Sequence, residues 1–147
     1  MLELLCELGH VVTFVPLTIR TQHQPATRHL EQLGIEVFSS DDFLPEDLLH
    51  DRAGYYDVVV ISRPHNGAKY LDLAREHFPR ARIVYDAEAV FCVREFLRAE
   101  LEGRGLSEAQ KRGMLRQELD IVKSADVVVT VSSESATWSS GRPGTTR

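Results

Sequence analysis

The chain has 147 residues, of which 43% are hydrophobic, so it can bury the core of one ordinary domain and has no room for a second catalytic domain. Its 17 Lys and Arg residues against 22 Asp and Glu residues give a net charge of −5, which argues against a nucleic-acid or polybasic membrane binder. Two distant cysteines in apolar stretches, with no signal peptide and no bilayer-spanning run, predict a reduced cytoplasmic protein without a transmembrane segment.

Five short runs rich in β-branched residues alternate with stretches of helical spacing, an order typical of α/β folds. The runs are 11–17, 35–38, 57–61, 82–85 and 126–131. The third and the fifth are almost continuously apolar, as expected for parallel strands buried on both faces. The sequence therefore predicts a Rossmann-like, doubly wound parallel sheet with helices on both faces.

Glycine residues mark the ends of the first two predicted helices. ELGHVVTF and QLGIEVF repeat the same order of helix, glycine and strand, with Gly9 and Gly34 in the C-terminal cap position. The next helix is predicted from an apolar face behind a possible Asn66 N-cap, and Pro79 ends it. That face consists of Gly67, Leu71, Ala74 and Phe78.

Two further helices are predicted before the last strand. Ser107 and Gln110 have the spacing of a capping box, which opens the second of them. The apolar stripe of the first is Val90, Val93, Leu97 and Leu101, and that of the second is Leu115, Leu119 and Val122. The last residues, 135–147, are rich in Ser, Thr, Gly and Pro and are predicted to form a disordered tail.

Polar residues follow the predicted strand 57–61, at the strand end where open α/β sheets bind ligands. Ser62, Arg63 and His65 could present a hydroxyl, a guanidinium and an imidazole to a sugar or a phosphate at a helix N-terminus. The alternative is a capped turn with a solvated arginine.

Two acids follow the predicted strand 82–85 in the same way. Asp86 and Glu88 share one face if the strand continues, and such a pair can accept hydrogen bonds from vicinal sugar hydroxyls or act as acid and base. Alternatively, Asp86 caps the next helix and Glu88 lies in its first turn. Arg94, one to two turns further on, could pair with one of these acids or contact a ligand.

The sequence contains no histidine or cysteine spacing typical of a metal site, and no glycine-rich phosphate loop, dinucleotide motif or nucleophile elbow. We therefore predict no metal and no resident cofactor. The two serines and the acid after the last strand, at 132–134, are interpreted as a helix start.

Three segments resemble the N-terminal half of retaining glycosyltransferases of the GT-B fold, the group 1 or family 4 type. They are GHVVTFVPL, YYDVVVISRPHNGAKYLDLAREHFPRARIVYDAEAVFCVREFLRAELEG and ELDIVKSADVVVTVSSES, and the resemblance runs from about residue 2 to residue 134. It implies two Rossmann-like halves facing a cleft. The N-terminal half holds the acceptor, and the C-terminal half, absent from this chain, binds most of the nucleotide sugar without a metal.

The resemblance implies that 1–134 is an incomplete acceptor-side domain whose first strand lies upstream, and that the fragment is inactive alone. If that strand belongs between the second and fourth strands of the usual order, two sheet edges lack partners and the isolated chain is marginally stable.

On this hypothesis the parent enzyme transfers a sugar from a nucleotide diphosphate sugar to a glycan or lipid-linked acceptor. Its acceptor-binding residues are Ser62, Arg63, His65, Asp86, Glu88 and Arg94. Two alternatives remain open: a non-enzymatic flavodoxin-like module, such as a receiver or small nucleotide-binding domain with Asp86 as its key acid, and an inactive gene remnant.

Overall fold

A computed structural model describes residues 1–17, 24–38, 44–88 and 91–130. Within these ranges the chain is mixed α/β, with six helices and five strands. The helices are α1 Leu2–Glu7, α2 Gln24–Gln32, α3 Pro45–Asp51, α4 Pro64–His77, α5 Phe91–Leu101 and α6 Glu108–Ser124. The strands are β1 Thr13–Phe14, β2 Glu36–Val37, β3 Val58–Ser62, β4 Arg82–Glu88 and β5 Val127–Thr130.

The chain divides into two compact units, Met1–Asp51 and Arg52–Arg147. The predicted end of the domain at residue 134, the predicted helix start at 132–134 and the predicted tail 135–147 lie outside the described residues. Each unit holds its own small parallel sheet, β1-β2 in the first and β3-β4-β5 in the second.

In the first unit, β1 and β2 pair in parallel over two residues each, which is shorter than the predicted runs 11–17 and 35–38. The Thr13 hydroxyl donates to Glu36 Oε2 across this pair at 2.9 Å. Such a short ladder supplies few backbone hydrogen bonds, so side-chain contacts of this kind carry part of the pairing.

The repeated order of helix, glycine and strand is confirmed. Gly9 and Gly34 have φ values of 84° and 80°, which a residue with a Cβ atom rarely adopts. After each glycine the chain turns back on its helix, since His10 N donates to Leu5 O and Ile35 N donates to Leu30 O. These are the bonds of a glycine C-cap, and they direct the chain into the following strand.

In the second unit, the three strands are parallel, and β4 is the central one. β4 is longer than the predicted 82–85, because it continues to Glu88 with a register shift between Asp86 and Glu88. Such a shift re-aims the residues around it and is common near ligand sites. The end of β4 therefore belongs to the sheet, and Asp86 is not part of the next helix.

The core of the second unit lies between this sheet and α4. Ile83 and Tyr85 of β4 are fully buried, and so are the helix residues of the predicted apolar face. That face, Gly67, Leu71, Ala74 and Phe78, is confirmed. The helix begins at Pro64, three residues before the predicted start, because proline is well suited to the first helical position.

Helix α6 approaches α4 closely at Gly67. A Cβ atom added to Gly67 would lie 2.7 Å from Ile121 Cγ2 and 3.4 Å from Tyr85 Cε2. Real Cβ atoms do not approach other carbons to 2.7 Å, so this crossing requires glycine on α4.

The predicted apolar stripe of α5 is wrong, and the predicted stripe of α6 is only partly buried. Val93, Leu97 and Leu101 of α5 are exposed, and its buried residues are Cys92 and Ala99; Val90 lies outside the described residues. On α6 the buried residues are Glu118 and Ile121, whereas Leu115, Leu119 and Val122 are half-buried. Hydrophobic spacing does not reveal the buried face of α6, because one of its two buried residues, Glu118, is an acid. The predicted capping box of Ser107 and Gln110 is confirmed.

The outer valines of the second sheet differ from the predicted burial on both faces. Val58, Val60 and Val129 are 52%, 41% and 48% exposed. Residues paired in a parallel register lie on the same face of a sheet. Ser62 pairs with Asp86, and Asp86 pairs with Val129, so Ser62 and Asp86 lie on the same exposed face as the three valines.

Candidate functional site

Ser62 and Asp86 meet at the carboxyl ends of β3 and β4. They are register partners, and the Ser62 hydroxyl donates to Asp86 Oδ2 at 3.0 Å in a partly buried position. A hydrogen bond to an ionised carboxylate is stronger than one between neutral groups, so it favours this orientation of the Asp86 side chain. The two residues named in separate sequence clusters therefore form one polar site at the sheet edge.

Asn66 anchors the turn after β3. Its side-chain Nδ2 donates to the Ser62 carbonyl at 2.9 Å. The expectation that Asn66 is the N-cap of the following helix is wrong, since the helix already begins at Pro64 and its N-cap is Arg63. The amide of Asn66 instead supplies a hydrogen-bond donor to the Ser62 carbonyl at the end of the strand.

Arg63 joins β3 to α4 in a strained conformation. Its φ is 77° and its ψ is 142°, and among the described residues no other non-glycine residue has a positive φ. The ψ value suits a residue before proline, whereas the positive φ of a residue with a Cβ atom costs about 1–3 kcal/mol. The backbone is held there because Arg63 N donates to Asp86 O at 3.2 Å.

The first turn of α4 has no acidic residue and no side-chain cap. His65 is exposed in this turn, and the Arg63 side chain is exposed directly before it. The first turn of α4 therefore presents the positive end of its dipole, with the exposed Arg63 side chain directly before it, at the edge where β3 ends. Such an arrangement can donate hydrogen bonds to a ligand from one side and accept them from the other.

The remaining predicted site residues are placed differently. Because β4 continues to Glu88, the alternative that Asp86 caps the next helix is wrong. The backbone of Glu88 is part of β4, but its side chain lies outside the described residues. Arg94 is exposed on α5, and within the described segments no hydrogen bond or ion pair joins it to Asp86.

The cap of α5 comes from α6, and the sequence analysis missed it. Glu118 Oε1 accepts from Phe91 N at 2.8 Å, and Oε2 accepts from Cys92 N at 2.9 Å. The carboxylate is thus shared by two backbone donors at the start of the helix, where the dipole favours a negative charge. A single acid on a predicted helix offers no sequence signal for such a distant partner.

Burial raises the pKa of the Cys92 thiol to about 12, helped by the hydrogen bond and the negative charge of Glu118. The thiol is therefore neutral and a poor nucleophile in the folded chain. Cys6 is half-buried, and neither cysteine forms a disulfide.

We expect folded Cys92 to resist alkylation and the chain to lose stability at alkaline pH. The folded pKa lies above the ordinary value of 9.0, so this contribution to stability is complete below pH 9 and is lost as the pH rises from 9 to about 12. Urea unfolding on either side of pH 9 measures it, with Cys92→Ala as the control that removes the thiol. An equal alkaline loss in that variant would show that Cys92 is not responsible.

A different acid secures the opposite end of the sheet. Asp126 Oδ2 accepts from Ile83 N at 2.8 Å and from the Arg75 guanidinium at 2.9 Å. The hydrogen bond from Arg75, with that from Ile83, holds the pKa of Asp126 below its usual range. This carboxylate is occupied by structural partners, so the site at Ser62 and Asp86 is the better candidate for ligand binding.

Three other features of the described residues bear on function. No cluster of three or more His, Cys, Asp or Glu side chains that could hold a metal occurs among them. An open groove of about 360 Å³ runs between α4 and α6, and it includes none of the candidate-site residues. No helix in the described part of the chain is long and apolar enough to cross a bilayer.

Comparison with protein-family models, with curated proteins and with solved structures found no match to this chain. The class of protein is therefore defined by its own fold, a mixed α/β chain whose parallel strands form two small sheets. Its candidate site is the polar edge where β3 and β4 end.

Proposed function

We propose that this chain is the acceptor-side domain of a retaining glycosyltransferase of the GT-B fold, built on a Rossmann-like doubly wound sheet. The observation that carries the proposal is the Ser62 to Asp86 hydrogen bond at the carboxyl edge of a parallel sheet, with the strained Arg63 directly beside it. Ligands of open α/β sheets bind at this edge.

The chemistry of the three side chains suits a hydroxylated ligand. An ionised carboxylate can accept hydrogen bonds from adjacent sugar hydroxyls, and a guanidinium can donate to ring or hydroxyl oxygens. Asp86 and Arg63 therefore orient the acceptor, with Ser62 holding Asp86 in place. His65 lies one residue into α4 and extends the same surface.

The arrangement of the strands also supports the proposal. The strands are parallel in each unit, β1-β2 in the first and β3-β4-β5 in the second, as a Rossmann-like doubly wound sheet requires. In the proposed parent enzyme, a second domain binds the nucleotide sugar, and the acceptor is a glycan or a lipid-linked sugar in the cytoplasm. The transfer then depends on stabilising the charge of the departing diphosphate.

Replacing Asp86 by alanine tests the proposal. We expect binding of methyl glycosides to the 147-residue chain to weaken by about tenfold or more, since hydrogen bonds to a charged group are lost. The amide signals of Ser62 and Arg63, which the variant retains, report this binding in NMR titrations. In the intact enzyme the same change should lower sugar transfer by about tenfold while donor binding stays intact.

Asp72→Ala is the matched control, because Asp72 is an exposed acid on α4 away from the site. Equal binding by the Asp86→Ala and Asp72→Ala variants would remove Asp86 from the site. If the unaltered chain binds no glycoside but is phosphorylated on Asp86 by acetyl phosphate, the glycosyltransferase proposal is wrong and a receiver-like module is favoured.

A further inference from the structure

Helix α6 supports both helices that start beside the candidate site. Ile121 packs against Gly67 in the first turns of α4, and Glu118, three residues earlier on α6, binds the first residues of α5. These two helices follow β3 and β4, the strands that end in Ser62 and in the Asp86 segment. One helix therefore sets where both polar strand ends are anchored.

Glu118 is an unusual residue for a buried helix face. It is 7% exposed, and a buried carboxylate is costly unless its charge and both oxygens are compensated. Here each oxygen accepts one backbone N–H, and the positive end of α5 faces the charge. The carboxylate is satisfied only while α5 begins at Phe91.

The connection from β4 to α5 is short. β4 ends at Glu88 and α5 begins at Phe91, so two residues join them. Holding Phe91 through its N–H therefore restricts the backbone that carries Glu88 and, five residues before Phe91, Asp86. The register shift between Asp86 and Glu88 lies in the restricted stretch.

We propose that Glu118 is a positioning residue, which fixes the acid-bearing end of β4 by binding the start of α5. In so far as Asp86 contacts a sugar acceptor, this inference rests on the proposed function. The positioning of Asp86 can be measured without any ligand, through the hydrogen bond from Arg63 N to Asp86 O.

Amide hydrogen exchange of the whole chain tests the proposal at two reporters. The Arg63 amide donates to Asp86 O at the site, and the Ile83 amide donates to Asp126 Oδ2 at the other end of the sheet. In Glu118→Ala we expect Arg63 exchange to rise by about tenfold more than Ile83 exchange, because local release exposes the site without global unfolding.

Glu118→Gln keeps the side-chain volume and one acceptor oxygen, so protection of the Arg63 amide should be partly restored and its excess exchange should be smaller than in Glu118→Ala. If the Glu118→Ala variant does not fold, the Glu118→Gln variant provides the same comparison between Arg63 and Ile83. Glu108→Ala is the control, since Glu108 is exposed on the same helix and pairs with Lys111. We expect no excess at Arg63 in that variant.

Equal changes at Arg63 and Ile83, or no change at either, in both Glu118 variants would overturn the proposal and leave Glu118 with a purely structural role. Glycoside binding by the unaltered chain is measured separately, so that a failure of the proposed function can be distinguished from a failure of the positioning. Excess exchange at Arg63 without any glycoside binding would mean that the positioning is correct and the proposed function is wrong.

Discussion

Replacing Gly67 by alanine is expected to lower the free energy of unfolding by about 1–3 kcal/mol. The new methyl group would lie 2.7 Å from Ile121 Cγ2 and 3.4 Å from Tyr85 Cε2, and both neighbours are buried. Ile121 is β-branched and has few alternative rotamers on a helix, so relief requires α4 and α6 to separate. Valine at the same position should prevent folding of the second unit.

Gly113→Ala is the matched control for this prediction. Gly113 lies inside α6 with nothing within 4 Å of its added Cβ, so alanine there should raise stability by up to about 1 kcal/mol through helix propensity. Urea titrations followed by circular dichroism measure both changes. Equal stability of the two variants would show that the helices do not approach each other at Gly67.

Replacing Arg63 by glycine is expected to stabilise the chain and to weaken ligand binding at once. Glycine adopts a φ of 77° without the cost of a Cβ atom, so strain of about 1–3 kcal/mol is relieved, less the roughly 0.5–1 kcal/mol of extra backbone entropy lost on folding. Loss of the guanidinium should weaken glycoside binding by about tenfold or more.

Arg63→Ala separates the two effects, because alanine removes the guanidinium and keeps the backbone strain. We therefore expect Arg63→Ala to lose binding without the gain in thermal stability that glycine gives. If glycine destabilises the chain, the backbone at this position is not strained. If both variants bind as the unaltered chain does, Arg63 does not contact the ligand.

Much of the local structure could be predicted from the sequence. The glycine C-caps at Gly9 and Gly34 and the capping box at Ser107 and Gln110 depend on residues a few positions apart, so their spacing is visible in the chain itself. The buried face of α4 was predicted for the same reason. Helix starts are less strictly encoded by local spacing, and α4 begins at Pro64 rather than behind Asn66.

Position along the chain singles out the candidate site residues, whereas their geometry depends on the tertiary structure. Strand-end position identified Ser62, Arg63 and Asp86, because parallel strands bring their carboxyl ends to one edge. Whether Ser62 bonds to Asp86 depends on the register of β3 against β4, and the length of β4 decides whether Asp86 belongs to a strand or a helix. Neither is encoded by residues adjacent in the chain.

By itself, the sequence determined the α/β class, the order of most elements and the polar strand ends, because hydrophobic period and caps act over one or two helical turns. Tertiary structure alone decided the pairing of Glu118 with the start of α5, the need for glycine opposite Ile121 and the positive φ of Arg63. Each of these results from segments distant in the chain competing for the same space or the same hydrogen-bond donors.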